Sequence, residues 1–233
     1  MPRDEAKAQL REIQRFRRAK HVGCTVELAR RYLAAHPKDC VAWIYYADAL
    51  CDMARHTEAL AALRRAVRLF PPKKLHLVYY RFGNVHKHRG AFRIAERWYR
   101  RAVDVSPSDA TYRIFLGGFL ARAGRLQEAE AVHRRATRCK EGCIDEAFLN
   151  LGLVLRALER YADARKCFLR ALVINPKYKA AREELSDVEH VIEKIPPFND
   201  ALRQRCLFAA LTGFVPRRKS SPSWLSNSRN SKT

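Results

Sequence analysis

The sequence of 233 residues is 48% apolar, enough to bury a sizeable core, and by length holds one or two domains. No apolar run reaches the roughly 18–20 residues a membrane span needs, and the N-terminal stretch mixes charges without an apolar segment, which argues against a secretory signal. Lys and Arg number 46 against 24 Asp and Glu, a formal net charge of +22 that favours nucleic acid, acidic protein segments or anionic lipid without choosing among them.

Residues 2–37 read as a degenerate helical hairpin that caps the N-terminal end. Leu10, Ile13 and Phe16 give one apolar stripe, Gly23 marks a turn, and Val26, Ala29 and Leu33 give a second stripe. Four units of similar pattern follow. The first, 40–73, carries Trp43, Tyr46-Ala47, Leu50, Ala59, Leu63, Ala66 and Pro71. The second, 76–109, carries Tyr79, Phe82-Gly83, His86, Gly90, Ala95, Tyr99, Ala102 and Pro107. Its terminal proline lies 36 residues after Pro71, so two extra residues sit around Pro72 to Leu75 and should change the pitch locally.

The third unit, 110–143, keeps Leu116-Gly117, Leu120, Gly124, Ala129, His133 and Ala136, but has Arg113 at the first aromatic position and Glu141-Gly142 at the terminal proline. Gly142 is expected to end its helix in a left-handed conformation. The fourth, 145–178, is the cleanest, with Leu151-Gly152, Leu155, Ala164, Phe168, Ala171 and Pro176. Such hairpins are apolar on too many sides to stand alone and must stack. The small residues allow helix backbones to approach, and the large ones fill the space between.

Over 179–195, Leu185, Val188, Ile192 and Ile195 form one apolar stripe while Glu183, Glu184, Asp187, Glu189 and Glu193 hold the other faces, the pattern of a C-terminal capping helix. Pro196-Pro197 ends it. Residues 196–214 read as one more short helix with Asn199 as its N-cap. Residues 215–233, basic, Ser-rich and without periodicity, are expected to be disordered.

Thirty-four residues carrying Leu-Gly, then Ala-x3-Phe, then a terminal Pro resemble a tetratricopeptide repeat. The resemblance implies an all-α fold, a right-handed superhelical solenoid of antiparallel helix pairs with capping helices. It also implies ligand-facing residues on the first helix of each repeat, on the concave side. Transferred position by position, these are Ile44, Tyr45 and Asp48, then Tyr80, Arg81, Asn84, Lys87 and His88. The third and fourth repeats add Ile114, Phe115 and Arg122, then Leu149, Asn150 and Arg156. Asn amides can fix an extended peptide backbone, and Arg and Lys select acidic groups. Two Tyr and a Phe would be wasteful on a merely solvated face, which is the alternative reading.

Some members of the family grip a chaperone's C-terminal carboxylate with Lys, Asn, Asn, Lys and Arg at fixed positions. Arg81 falls on the Arg position here, but the other four hold Leu10, Gln14, Tyr45 and Leu77, so that role is not expected.

No P-loop, Rossmann glycine pattern, zinc-protease helix or nucleophile elbow is present, so neither catalysis, a cofactor nor a small-molecule substrate is expected. His86 and His133 occupy packing positions, and Glu128 and Glu130 read as solvated surface. The seven cysteines (Cys24, Cys40, Cys51, Cys139, Cys143, Cys167 and Cys206) are odd in number and at no framework spacing, as in a reduced cytoplasmic chain. Cys139 and Cys143 have only His133 nearby, too few ligands for zinc.

Arginines recur late in each second helix: Arg30-Arg31, Arg64-Arg65, Arg100-Arg101, Arg134-Arg135 and Arg170. Stacked, they should form a positive spine, either a solubilising surface or a docking face for RNA or an acidic partner. In the tail, Ser220 and Ser221 each follow an Arg by three residues and read as candidate phosphorylation sites or as an ordinary basic end, and the same run suits a nuclear signal in a eukaryote. Residues 196–233 carry +6 of the +22, so the basicity belongs mainly to the repeats. Two functions remain: a non-enzymatic adaptor holding an extended acidic or mixed acidic and aromatic peptide in its groove, or an RNA- or ribosome-associated protein docking through the spine.

Overall fold

The computed structural model describes residues 2–194. Residues 2–189 pack as one unit, and of the chain beyond it only 190–194 are described. Ile195, the helix expected over 196–214, Cys206, and the tail with Ser220 and Ser221 lie outside the described residues.

The first unit is an all-α solenoid of antiparallel helix pairs. The pairs are α1 (Pro2–Arg18) with α2 (Val22–Ala35), α3 (Cys40–Asp52) with α4 (His56–Leu69), α5 (His76–His88) with α6 (Phe92–Val105), α7 (Ala110–Arg122) with α8 (Leu126–Ala136), and α9 (Ile144–Ala157) with α10 (Tyr161–Ile174). A last helix, α11 (Lys179–Lys194), buries Ala181 and Val188 against Leu155 and Phe168. The extra residues before α5 form a short 3-10 turn over Pro72–Lys74.

Each pair turns on one residue in the left-handed region: Lys20, Ala54, Gly90, Gly124 and Glu159, with φ of 58, 59, 73, 76 and 60°. Glycine holds that conformation without a Cβ penalty at two of the five turns. Gly23, expected at the first turn, lies inside α2, and Lys20 makes the turn three residues earlier. Val22 and Cys24 flank Gly23 in an unbroken helix, so the glycine there is only a weak helix former.

The pairs are clamped by one contact repeated at a 16-residue offset. Gly83 faces the ring of Tyr99, Gly117 that of His133, and Gly152 that of Phe168; a Cβ on the three glycines would lie 2.7, 2.4 and 2.4 Å from those rings. In α3–α4 the same positions hold Ala47 and Leu63, both buried: a smaller partner leaves room for the methyl group. Burial pushes the His133 imidazole down to about 4, and its Nδ1 has no hydrogen-bond partner. A neutral ring therefore fills a place that Phe168 and Tyr99 fill elsewhere.

Asp39 caps α3, accepting from the Val41 and Ala42 amides at 2.9 and 3.0 Å and from the Tyr32 hydroxyl at 2.9 Å. Asp109 caps α7 through the Thr111 amide at 2.8 Å. Gly142 is left-handed, with φ of 86°, but it does not end α8, which stops six residues earlier at Ala136. Instead the loop pairs with the α7 entry: Ala110 N–H donates to the Glu141 carbonyl at 2.9 Å, and Glu141 N–H to that of Ser108 at 3.2 Å. A Cβ on Gly142 would lie 2.2 Å from Asp109 Oδ1, so glycine is needed there for the cap.

Candidate functional site

The first helix of each pair contributes to a cleft of about 520 Å³. It gathers ten of the expected groove residues: Asp48 from α3; Tyr80, Arg81, Asn84, Lys87 and His88 from α5; Ile114, Phe115 and Arg122 from α7; and Asn150 from α9. At 3.6 residues per turn, Tyr80, Asn84 and Lys87 fall on one side of α5, which explains their convergence.

Four expected members are elsewhere. Ile44 and Leu149 are buried in the helix packing, where each joins a hydrophobic cluster instead of facing a ligand. Tyr45 is half-buried beneath the Arg17 guanidinium, 4.8 Å from its ring centroid. Arg156 is drawn to Glu184 of α11, a carboxylate supplied by a helix outside the repeats. Ile114 lines the cleft yet is itself buried.

Arg81 is not free to hold a ligand. Its Nε lies 2.9 and 3.1 Å from the two Asp48 carboxylate oxygens, its Nη1 donates to the Leu77 carbonyl, and its guanidinium lies over Tyr80 at 4.5 Å. Arg17 adds a second cation 3.7 Å from Asp48. Burial raises the Asp48 carboxyl, and the two guanidiniums oppose that rise. This cluster fixes Tyr80, which stacks on Phe115 with centroids 5.0 Å apart and planes 7° apart. Phe115 remains 39% exposed, so its ring is open to a partner.

The amides are half committed. Asn84 Oδ1 accepts from the Tyr99 hydroxyl at 2.7 Å, and Asn150 Nδ2 donates to the Glu146 carbonyl at 2.9 Å. Both N–H donors of the Asn84 amide and the Asn150 Oδ1 acceptor are left for a peptide backbone, among the described residues.

Among the described residues Lys87 and Arg122 have no ion-pair partner, and neither do Asp52 and Glu146 across the same cleft. Burial, then repulsion from Arg122, lowers the Lys87 ammonium; burial, then Asp145, raises the Glu146 carboxyl. Each group is destabilised in its charged form and would gain from an opposite charge. Asp52 lies four residues from Asp48, Phe119 four from Phe115 and Glu146 four before Asn150, so helical spacing alone could have added them. Arg17 escapes such a reading because the sequence of the N-terminal hairpin marks it as a cap.

The nine spine arginines are all exposed, but they do not form a uniform positive stripe. Glu27 takes Arg30 and Arg31 at 2.9 and 2.7 Å, and their hydrogen bonds hold its carboxyl down to about 2. Glu96 takes Arg100 at 2.8 Å, and Glu130 takes Arg134 at 2.7 Å. Carboxylates one turn before the doublets thus interrupt the cationic track in three of its five steps. Glu128 and Glu130, expected as solvated surface, are both ion-paired, Glu128 with Arg125 at 2.6 Å and Glu130 also with Arg160 at 2.7 Å.

Among the described residues no cluster of three or more His, Cys, Asp or Glu side chains could hold a metal, and no helix is long and apolar enough to cross a membrane. Cys139 lies 3.3 Å from Arg113 Nη1 as a free thiol.

Sequence models of the tetratricopeptide repeat match residues 145–178 and 80–142. Human tetratricopeptide repeat protein 7B is 33% identical over 130 residues, covering 56% of this chain and 15% of that protein. The human cell division cycle protein 16 homolog is 30% identical over 168 residues, covering 67% of this chain and 27% of that protein. The chain therefore spans about a quarter or less of the curated relatives it matches. The crystal structure of the APC/C hetero-tetramer Cut9–Hcn1 superposes with a TM-score of 0.62 at 20% identity, over 82% of this chain and 37% of that one. TTC0263, a thermophilic protein of Thermus thermophilus, does so with a TM-score of 0.62 at 18% identity, over 78% and 98%. At such identities the two structures share the fold. Matched repeats, their sequence relatives and the common fold agree: the chain belongs to the tetratricopeptide repeat family, whose repeats mediate protein–protein interaction.

Proposed function

We propose that the chain is a non-enzymatic adaptor that holds an extended peptide of mixed acidic and aromatic character in the cleft of α3, α5, α7 and α9. The observation that carries the reading is the exposed Phe115 ring on the fixed Tyr80, in a cleft whose Lys87 and Arg122 pair with no carboxylate among the described residues. A peptide carboxylate would meet Lys87 and Arg122, an apolar or aromatic side chain would lie against Phe115, and the backbone would bond Asn84 and Asn150. Asp52 and Glu146 would select a cation elsewhere along the same segment. An aromatic anchor flanked by charges suits recognition with modest salt dependence, unlike binding through phosphates alone.

The test is titration of labelled acidic and aromatic peptides against the full chain and two variants. Lys87→Glu with Arg122→Glu should weaken binding by about tenfold or more, and Phe115→Ala by a similar factor. Unchanged affinity in both variants, with folding intact by circular dichroism, removes the cleft as the recognition site.

A further inference from the structure

Beyond the cleft, a second concavity of about 370 Å³ opens between α4 and the α5–α6 pair. It shares no lining residue with the cleft. Tyr79, Phe82 and His86 line it from α5, and at 3.6 residues per turn they lie on the side of that helix away from Tyr80, Asn84 and Lys87. Leu60, Val67 and Phe82 make its apolar floor. Trp98 forms a wall, stacked on Phe82 with centroids 4.5 Å apart and tilted against Tyr79 at 5.4 Å.

The rim is cationic and has no acidic member. Arg64 and Arg68 line the opening, and Arg101 lies over the Trp98 ring at 4.8 Å. Among the described residues none of these three forms a salt bridge, and neither do Arg65, Arg93 and Arg97 on the same two helices. The His86 ring lies among them with its Nδ1 unpartnered; burial, then the nearby Arg89 and Arg64, disfavours its charged form. An apolar floor ringed by unpaired guanidiniums is complementary to an apolar side chain set between carboxylates.

We infer that this pocket is a second binding site, taking an acidic segment of a partner protein that inserts one apolar anchor and pairs its carboxylates with Arg64, Arg68 and Arg101. Nucleic acid fits less well. Single-stranded binding relies on aromatic faces open to bases, and the Trp98 indole is already stacked by Phe82 and covered by Arg101. The site is independent of the proposed cleft ligand, so the adaptor would hold two segments on opposite sides of α5.

The experiment uses a synthetic peptide with one Phe-Leu pair flanked by Asp and Glu, its Asn/Gln counterpart, and oligouridine. Each is titrated into the full chain while the Trp98 indole N–H signal is followed by NMR, assigned by Trp98→Phe. The acidic peptide should shift that signal saturably, and the Asn/Gln peptide about tenfold more weakly. Arg64→Glu with Arg68→Glu should weaken the acidic peptide by about tenfold or more, and the milder Arg64→Gln with Arg68→Gln by less. Lys87→Glu with Arg122→Glu should leave this titration unchanged, which separates the pocket from the cleft. No indole shift with the acidic peptide, equal affinity in the Arg64 and Arg68 variants, or a Trp98 shift produced by oligouridine in its place overturns the proposal.

Discussion

The α4–α6 and α8–α10 segments follow the same helix-pair plan but treat their arginines differently. In α8–α10 and the turns beside them, Arg125 bridges Glu96 and Glu128, Arg160 bridges Glu130 and Asp163, and Arg134 and Arg165 each hold a carboxylate, while Arg135, Arg138 and Arg170 hold none among the described residues. Two of these bridges, Arg125–Glu96 and Arg160–Glu130, cross from one repeat to the next. In α4–α6, Arg55–Glu58, Arg81–Asp48 and Arg100–Glu96 are paired, while Arg64, Arg65, Arg68, Arg93, Arg97 and Arg101 are not, among the described residues. Helical spacing shows part of the cause. Glu130 lies four residues before Arg134, whereas Leu60 holds that place before Arg64, and α6 begins with Ala91 and Ile94 where α4, α8 and α10 have Arg and an acid three residues on. Arg125 and Arg160 join repeats to one another, whereas the unpaired arginines hold no carboxylate among the described residues.

The largest expected effect lies in the core contact that both segments share. Phe168→Ala empties the place opposite Gly152 and should cost about 3–5 kcal/mol, read from urea unfolding. Next comes the repeat that uses histidine. His133 titrates near 4 when folded and near the ordinary 6.5 when unfolded, so between those values the unfolded chain binds the extra proton. Stability should therefore fall as pH drops from about 6.5 to about 4, by on the order of 3 kcal/mol, and be fully present above that window. His133→Phe copies the Gly152–Phe168 pair and should flatten that part of the pH profile. An unchanged slope in the variant would show that His133 is not the titrating group.

A methyl group at the clamp should cost less. Gly152→Ala pushes against Phe168 and should destabilise by about 1–3 kcal/mol. Adding Phe168→Leu recreates the Ala47–Leu63 pair of α3–α4, so the double variant should lose less than the sum of the two single losses. Strict additivity would mean that the 16-residue offset is not a packing unit.

These contacts also show why parts of the molecule could be read from sequence and others could not. Gly152, Phe168 and Ala171 carry their packing role in residue type and spacing, because a buried helix contact requires both. Gly23 misled because a glycine inside a helix and a glycine in a turn look alike, while the true turn residue, Lys20, has no sequence mark. Gly142 was recognisable as left-handed, but its reason, the approach of Asp109 across the repeat boundary, is a tertiary fact. The same holds in the cleft. Tyr80, Phe115 and Lys87 could be placed by the family resemblance, position by position, whereas the diversion of Arg81 to Asp48 and of Arg156 to Glu184 depends on helices that meet only in the fold.

The smallest effect discriminates the two arginine regimes most directly. Burial raises the Glu130 carboxyl, but hydrogen bonds from Arg134 and Arg160 outweigh it and hold the group below its ordinary value. With 15% of its side chain exposed, Glu130 sits between exposed and buried ion pairs, so Glu130→Gln should cost about 1 kcal/mol in low salt and less in high salt. Arg64→Gln with Arg65→Gln removes two exposed charges that hold no carboxylate and leaves fewer like charges beside Arg68. Its stability should stay within about 0.5 kcal/mol of the parent and shift, if at all, upward in low salt. A clear loss of stability in the Arg64 and Arg65 variant would place those arginines among the structural ones and close the difference between the two halves.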